Sequence, residues 1–417
     1  MAAGTELILR GPMRAADRGG DFVSPYISAH RLIHGKDPYF SDNSPQERRE
    51  IGVAPTWVID PFPIYPPTTL VLVAPLAILS WPAALGLYSW FCTGAYIGLV
   101  WLLSGLIDAS WSSRRRLAFM AFGLGLAPVH TGIATGNLSV LVFLLSGYGL
   151  FLAWRNYDVV AGVLLAMGFC IKPTSAIAAL AAVLLYGRIR TFLTSIGVTI
   201  LIATCAAFAV AHVDPIWKVH YMANLAVVFG PEGAANFASA GGNFDLINLQ
   251  VPFYVISHNV DVANVLAFLT TTILAAVWLI LYFRERKRAV RWSWLGISSL
   301  LLIAVLPVYQ RNYNAAVVLF AAMWAFSNLK LRDPWPKVAI FVGIVYLVPG
   351  EAAIRDIPLP NWLSTNIFWN SVVMCQLTWA IMASIALCYA YMLHRTTPSS
   401  STFVTERPKA AFDHWPF

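Results

Sequence analysis

The chain has 417 residues, of which 58% are hydrophobic and only 12% are charged. This balance excludes an ordinary soluble domain, in which about 25% of the residues are charged. The formal net charge of +8 lies largely in short basic clusters between apolar runs, which is typical of a membrane protein rather than a nucleic-acid-binding one. The long Leu, Ala and Val runs do not alternate with polar residues as barrel strands do, so we predict an all-α polytopic membrane protein.

Apolar runs of helical length recur along the chain and predict about 10–12 membrane segments, each needing about 20 residues for a simple crossing. Several runs are shorter, which predicts half-helices broken where polar backbone lines a cavity. A short apolar stretch at 68–80 is expected to pack against the first span. The predicted spans are 82–107, 117–135, 138–153, 158–171, 174–186, 191–212, 262–283, 293–308, 313–329, 337–349 and 368–393.

The basic clusters predict the orientation of the chain in an inner (plasma) membrane. If Arg114, Arg115 and Arg116 lie in the cytoplasm and the direction alternates at each span, most other Lys and Arg residues also fall on that side. The opposite side is then extracytoplasmic and carries the loop 21–81, the loop 213–261 and the short turns between spans. After residue 50, the basic residues on that side are Lys172, Lys218, Arg311 and Arg355.

The same pattern predicts one membrane domain with two short flanking segments. Residues 1–20 hold no apolar run of spanning length, so a first span is apparently missing there. Residues 21–395 form the single membrane domain. Residues 396–417 begin with TTPSSST and are expected to be a disordered cytoplasmic tail.

Asp21 is the first candidate for chemistry, because it precedes an apolar pattern of helical spacing in an otherwise polar stretch. Phe22, Tyr26, Ala29 and Ile33 repeat at that spacing and predict a short helix lying in the membrane interface. Asp21 would stand at the N-terminal end of this helix. A carboxylate there can be a general base, or it can simply cap the helix.

Two cations on the extracytoplasmic side are candidates for binding a phosphate. Lys172 is flanked by apolar segments, and Pro173 disfavours helix at this position, which predicts an ammonium at a helix break. Its alternative role is to reach lipid headgroups. Arg311 lies in a polar turn, QRNYN, and its guanidinium suits a phosphate.

Further candidates for the substrate pocket are weaker, and each has a plainer explanation. His130 and Asn137 lie near the outer end of the second span, where a lone His is more often a packing residue. Asn243 lies in the segment GGNFDLINL, which can be a flexible loop. Tyr26 and Tyr65 can stack on a sugar, although anchoring at the interface is the simpler role.

One carboxylate and several cations on one side indicate a reaction on an anionic, lipid-linked substrate. The carboxylate would act as general base, and the cations would hold the phosphate as it leaves. The sequence has no phosphate-binding nucleotide motif, so an activated lipid would supply the energy. No clustered carboxylate motif requires a metal, so we expect neither metal nor cofactor.

Six segments, taken in order, resemble glycosyltransferase family 87, the polyprenyl-phosphate-mannose-dependent mannosyltransferases and their relatives. They are DFVSPYISAHRLIHGKDPY, FPIYPPTTLVLVAPLAIL, TGNLSVLVFLL, AGVLLAMGFCIKPT, GGNFDLINL and LPVYQRNYNAAVVL. The resemblance implies a GT-C type helical bundle with short helices on its extracytoplasmic loops. It also implies a polyprenyl-phosphate sugar donor, most often mannose, an extracytoplasmic glycolipid or glycan acceptor, and inversion at the anomeric carbon.

The resemblance also implies roles for single residues. Asp21 matches the loop aspartate that acts as base, and Lys172 matches the lysine-proline position, for which we expect contact with the donor phosphate. Arg311 lies in a turn where relatives carry histidine, so help from a histidine is not expected here. The apparent lack of a first span is a second departure from the family pattern.

Other classes of function are compatible with parts of the sequence. A transporter or flippase of lipid-linked sugars would also have broken helices, but such proteins often show internal repeats, and none is visible here. A non-catalytic assembly partner would not need its polar residues aligned on one side. We therefore predict a membrane glycosyltransferase that interacts with membrane lipids and not with nucleic acid.

Overall fold

The structure is a computed structural model of the chain and is helical in all its main elements. The residues that it describes are 2–40, 49–53, 63–108, 110, 113–231, 233, 235–239, 243–287, 292–329, 334, 336–339, 342, 358 and 360–394. Within these ranges the only β pairing is one antiparallel bridge between Leu246 and Arg311. The predicted tail at 396–417 and most of the predicted span at 337–349 lie outside the described residues.

Eighteen α-helices are described, and three short helices of other types accompany them. The latter are 3-10 helices at Pro12–Arg14 and Asn312–Val317 and a π-helix at Trp369–Val373. The α-helices are α1 (Ala2–Arg10), α2 (Ala15–Arg18), α3 (Gly20–Ile33), α4 (Pro67–Ala77), α5 (Trp81–Gly105), α6 (Arg114–Leu124), α7 (Ala127–Ala134), α8 (Leu138–Trp154), α9 (Asp158–Ile171), α10 (Pro173–Leu185), α11 (Ile189–Val213), α12 (Trp217–Val228), α13 (Gln250–Ser257), α14 (Val260–Lys287), α15 (Trp294–Ala304), α16 (Val318–Ser327), α17 (Asn361–Ser364) and α18 (Gln376–His394).

The predicted all-α, polytopic membrane architecture is confirmed. Among the described residues, five helical segments are long and apolar enough to cross a membrane: α5, the pair α6–α7, α11, α14 and α18. Five shorter apolar helices, α4, α8, α9, α10 and α15, occur between them. The second predicted span is divided into α6 and α7, because the chain turns at Gly125 and Pro128 begins a new helix.

The helices differ strongly in how much of their surface the protein covers. α8 is largely buried and packs against α9 and α10, while α9 packs against α11 on its other side. In contrast, only 11% of the most apolar window of α11 and 22% of that of α14 are buried. Apolar helices with so much uncovered surface are suited to contact lipid, which places α11 and α14 at the outside of the bundle. The largely buried α8 lies at its centre.

α4 differs from its prediction, because it packs mainly against α3 and α11 and only slightly against α5. Its two threonines connect it to the end of α9: Thr68 Oγ1 donates to Cys170 O at 2.5 Å, and Thr69 Oγ1 donates to Ile171 O at 2.8 Å. These carbonyls belong to the last turn of α9, where the helix has no backbone N–H donors of its own for them. α4 therefore holds the chain in place just before Lys172.

The N-terminal helix α1 is nine residues long, which is too short to cross a bilayer, and it packs against α6 and α7. At one end of the bundle, basic side chains bind the ends of neighbouring helices: Arg115 Nη1 donates to Ser327 O at 3.0 Å, and Arg188 Nη2 donates to Trp154 O at 3.3 Å. The candidate site residues are at the other ends of these helices.

Candidate active site

Asp21 lies in the first turn of α3, and its carboxylate does not cap the helix. The N-cap residue is Gly19, and no side chain bonds to this helix start. The Asp21 backbone N–H donates to Thr135 O at 3.0 Å, and its Oδ2 accepts a hydrogen bond from Asn137 Nδ2 at 3.0 Å. The carboxylate is thus held by a residue 116 positions away in the chain, which favours a functional role over a local one.

The apolar face predicted for α3 anchors Asp21 in the bundle. Phe22 stacks on Tyr88 with a centroid distance of 4.8 Å, and Tyr26 meets Trp81 edge-on at 5.1 Å. Tyr26 also donates its hydroxyl hydrogen to Leu79 O at 2.8 Å. Both side chains are almost fully buried, so α3 packs inside the protein rather than lying in the interface. Tyr26 directs its polar end at the α4–α5 turn, not at Asp21.

The turn before α8 brings Asn137 beneath α3. Gly136 has a φ of 69°, and a Cβ at this position would lie 2.7 Å from the Phe22 Cβ, so only glycine fits. Asn137 then caps α8, because its Oδ1 accepts from Ser139 N at 2.9 Å. Its Nδ2 donates to Asp21 Oδ2 and, at 2.6 Å, to the Tyr313 hydroxyl oxygen.

Lys172 occupies the turn between α9 and α10, as the sequence predicts. Its backbone is extended, with φ −149° and ψ 91°, because Pro173 follows and starts the next helix. The side chain turns inward: Nζ donates to Ser139 Oγ at 2.8 Å and lies 5.9 Å from the centroid of the Tyr313 ring. This geometry does not fit a lysine that extends to lipid headgroups.

The ammonium of Lys172 has charged neighbours of both signs. Burial lowers the pKa of Lys172 to about 8, the Asp21 carboxylate raises it, and the Arg311 guanidinium lowers it. At neutral pH the Lys172 side chain is therefore protonated in most of the molecules. Its charge is sensitive to any anion that binds beside it.

Arg311 immediately precedes the 3-10 helix Asn312–Val317 and is half-buried. The segment 246–249 holds its backbone through the Leu246 bridge and the bond from Ile247 N to Gln310 O at 2.9 Å. Its Nε donates to the Tyr309 hydroxyl at 2.9 Å. Burial lowers the pKa of Arg311, but Tyr309, Tyr313 and Asp21 raise it, and the net direction is upward. The guanidinium therefore stays charged.

Three tyrosines, Tyr65, Tyr309 and Tyr313, line the same group. Of these, the sequence predicted a place in the pocket for Tyr65. Burial raises the pKa of Tyr65, with Asp21 and Tyr309 adding to it, so this phenol stays neutral. Tyr39 donates its hydroxyl hydrogen to Tyr65 O at 3.0 Å and supports that loop. Tyr309 and Tyr313 were not predicted for the site, although both lie within two residues of Arg311 in the segment YQRNYN.

A small cavity of about 30 Å³ lies beside Lys172, which is enough for about one water molecule. Its lining contains both polar and apolar side chains. It is lined by Ser139, Phe143, Ser146, Thr174, Ser175, Leu301, Ala304, Val305, Gln310, Asn314, Val317 and Phe320. Apart from Ser146, which lies within α8, the polar residues among them lie in or next to the turns that carry Asn137, Lys172 and Arg311.

Two predicted pocket residues are not part of this group. His130 is buried, its Nε2 lies 2.7 Å from Leu124 O, and its charged neighbours are Arg10 and Glu6. Asn243 donates through Nδ2 to Asn236 O at 3.2 Å. Asn243 shapes the loop that continues into the segment beside Arg311, and His130 packs within the bundle.

The structure brings Asp21, Lys172 and Arg311 into one electrostatic group, together with Asn137 and Tyr65. Within this group two cations face one carboxylate, which suits an anionic substrate. A second carboxylate, Asp245, is an electrostatic neighbour of Tyr309. The cations are held by neutral hydroxyls of Ser139 and Tyr309. Their charge therefore remains available to a ligand.

The sequence model of glycosyltransferase family 87 matches residues 63–307, which is more than half of the chain. The chain belongs to glycosyltransferase family 87. No curated protein and no solved structure matches it significantly. The matched range of family 87 includes Tyr65, Asn137 and Lys172, whereas Asp21 and Arg311 lie outside it. The chain is therefore a membrane glycosyltransferase, and the group around Asp21 is its candidate active site.

Proposed function

We propose that this family 87 enzyme transfers a mannosyl group from a polyprenyl-phosphate donor to a hydroxyl of a glycolipid or glycan. The observation that carries the proposal is the meeting of one carboxylate with two cations, which Asn137 and Ser139 hold in place. A transferase for a phosphate-linked sugar needs these two functions, a base and a phosphate site.

In the proposed reaction Asp21 accepts the proton of the acceptor hydroxyl. The hydroxyl oxygen then attacks the anomeric carbon and forms the new glycosidic bond, with inversion. The bond from that carbon to the phosphate oxygen breaks, and the phosphate keeps the electron pair. Lys172 and Arg311 stabilise this charge on the polyprenyl phosphate. The proposal includes no metal and no cofactor.

We propose that the site faces the extracytoplasmic side of the plasma membrane. Arg115 and Arg188 bind helix ends opposite to those of the site. Basic residues are concentrated on the cytoplasmic side of membrane proteins. A polyprenyl-phosphate donor in the outer leaflet would then reach Asp21 by lateral movement in the membrane.

The test is a transfer assay with the purified protein in proteoliposomes. The donor is radiolabelled polyprenyl-phosphate mannose, and a lipid extract of the cell envelope supplies acceptors. We expect a new glycosidic product with wild-type protein and almost none with Asp21→Asn. Movement of label across the bilayer without product would indicate the transporter instead. Wild-type turnover by Asp21→Asn would overturn the role of Asp21.

A further inference from the structure

We infer that Asn137 is a positioning residue that sets the direction of the hydrogen bonds in the active site. Through its amide it holds the Asp21 carboxylate as an acceptor and turns the hydroxyl hydrogen of Tyr313 towards the bound substrate. The inference rests on the proposed function, because it assigns these two groups to sugar transfer. It also makes Tyr313 a catalytic residue that the sequence analysis did not identify.

The orientation of the Asn137 amide follows from its position at the start of α8. Its oxygen must accept the backbone N–H of Ser139, at 2.9 Å, because an NH2 group there would face another donor. The two amide ends are therefore not interchangeable, although they have the same shape. The capped helix fixes the amide nitrogen on the side of Asp21 and Tyr313.

Both hydrogens of that nitrogen are in use. One is donated to Asp21 Oδ2 at 3.0 Å and the other to the Tyr313 oxygen at 2.6 Å. A carboxylate that accepts such a bond is favoured in its ionised form, which is the form a general base needs. The Asn137 carbonyl is itself held by the Tyr88 hydroxyl at 2.7 Å, so the turn is fixed on both sides.

The second bond determines what Tyr313 can do. Since its oxygen accepts from Asn137, its own hydrogen must point elsewhere. The ring lies 5.9 Å from Lys172 Nζ, and Arg311 is an electrostatic neighbour of the phenol. The ordinary pKa of a phenol is about 10, so the group keeps its hydrogen at neutral pH. We assign this hydrogen to an oxygen of the donor phosphate.

The same turn also positions the lysine. Ser139, two residues after Asn137, accepts from Lys172 Nζ at 2.8 Å. The base, the phenol and the ammonium are thus all held by the residues that begin α8. This explains why a polar, glycine-containing turn begins one of the most buried helices of the bundle.

Asn137→Asp is the decisive variant, because it preserves the shape and the helix cap but replaces the NH2 donor with an acceptor. The introduced carboxylate would face Asp21, and two adjacent carboxylates retain a proton to higher pH. We expect turnover at neutral pH to fall about 100-fold and the acidic limb of the activity–pH profile to move upward. Because the buried position 137 gains a carboxylate, we expect thermal stability to fall, so turnover is compared at a temperature at which both proteins are folded.

Asn259→Asp is the matched control. Asn259 also accepts a backbone N–H at a helix start, from Val262 at 3.0 Å, but it is exposed and lies before α14. The same substitution there should leave turnover and the pH profile unchanged. If Asn137→Asp behaves like Asn259→Asp in both measurements, Asn137 does not position the base.

A second readout does not depend on sugar transfer. Infrared titration of the carboxyl C=O band, identified by its loss in Asp21→Asn, should show protonation at higher pH in Asn137→Asp than in the wild type. An unchanged titration overturns the inference even if the enzyme transfers mannose. A shifted titration supports it even if no transfer is found. Failure of the positioning role of Asn137 can therefore be distinguished from failure of the proposed mannosyl transfer.

The proposed hydrogen bond from Tyr313 to the donor phosphate is tested separately by Tyr313→Phe, which keeps the ring beside Lys172 and removes only the hydroxyl. We expect kcat for polyprenyl-phosphate mannose to fall about 10-fold, the loss typical of one hydrogen bond to a charged group. A kcat equal to that of the wild type would remove Tyr313 from the catalytic residues.

Discussion

Two polar groups in this enzyme bring together charged side chains from distant parts of the chain, and they differ in how the charge is balanced. In the active-site group, Lys172 and Arg311 exceed the single carboxylate of Asp21. In the second group, which we call the Asp37–Asp214–His220 cluster, His220 Nδ1 lies 2.9 Å from Asp37 Oδ2 and 3.0 Å from Asp214 Oδ2. The two carboxylates there share the single imidazole of His220, so the carboxylates are in excess.

The hydrogen bonds show the same difference. Asp214 also accepts from Ile216 N at 3.0 Å, and Asp37 accepts from Tyr39 N at 2.8 Å, so the cluster joins the loop after α3 to the start of α12. Its two carboxylates share one imidazole, so the excess charge of the cluster is negative. In the active site, Lys172 Nζ and Arg311 Nε each donate to a neutral hydroxyl of the protein. The two groups therefore differ in the sign of their excess charge, and of the two it is the active-site group that suits an anionic phosphate.

The largest expected effect is that of Asp21→Asn, which removes the proposed base and keeps the shape. Turnover should fall about 1,000-fold, within the range of general-base catalysis. The measurement is product formation from polyprenyl-phosphate mannose. Asp17→Asn, an exposed aspartate in α2, is the matched control and should be neutral. Equal activity of both variants would contradict the assignment.

Lys172→Met should weaken donor binding, because it replaces one of the two cations by an apolar chain of similar length. We expect the Kd for polyprenyl phosphate to rise about 10- to 100-fold, the value of a hydrogen bond to a charged group. Lys218→Met, on exposed α12, provides the control. If the two variants bind polyprenyl phosphate equally, Lys172 has no phosphate role.

The pH dependence of donor binding sharpens the same assignment. The ammonium of Lys172 is charged below its pKa of about 8 and loses its charge as the pH rises through that value. Affinity for polyprenyl phosphate should therefore decline above about pH 8, and a bound phosphate would delay the decline. Lys172→Arg should remove this dependence, because a guanidinium stays protonated. A pH-independent wild type would contradict the prediction.

The smallest effect is expected in the Asp37–Asp214–His220 cluster. The His220 side chain is 37% exposed, and ion pairs this accessible contribute about 0.2–1 kcal/mol. His220→Gln should lower the free energy of unfolding by about that much and leave donor affinity unchanged. Thermal denaturation and binding of polyprenyl phosphate check the two statements. A loss of affinity as large as that of Lys172→Met would show that the cluster belongs to the site.

Parts of the site could be predicted because their signal is local. Pro173 predicts the helix break at Lys172, and the spacing of Phe22 and Tyr26 predicts a helix that begins near Asp21; both are found. The same local reasoning left two roles open for Tyr26 and for His130, a place in the pocket or a packing contact. Whether a tyrosine turns towards a substrate or towards Leu79 depends on neighbours 53 residues away.

The sequence by itself determined that the chain is a helical membrane protein. Polar groups are unfavourable in lipid, so the spans are apolar and the basic clusters lie between them. It also determined which short polar segments interrupt those runs. Only the tertiary structure decided that Asn137 joins Asp21 to Tyr313, and that Lys172 bonds Ser139. Hydrogen bonds form between atoms about 3 Å apart, and the packing of α3, α8 and α9 sets those distances, which no local pattern encodes.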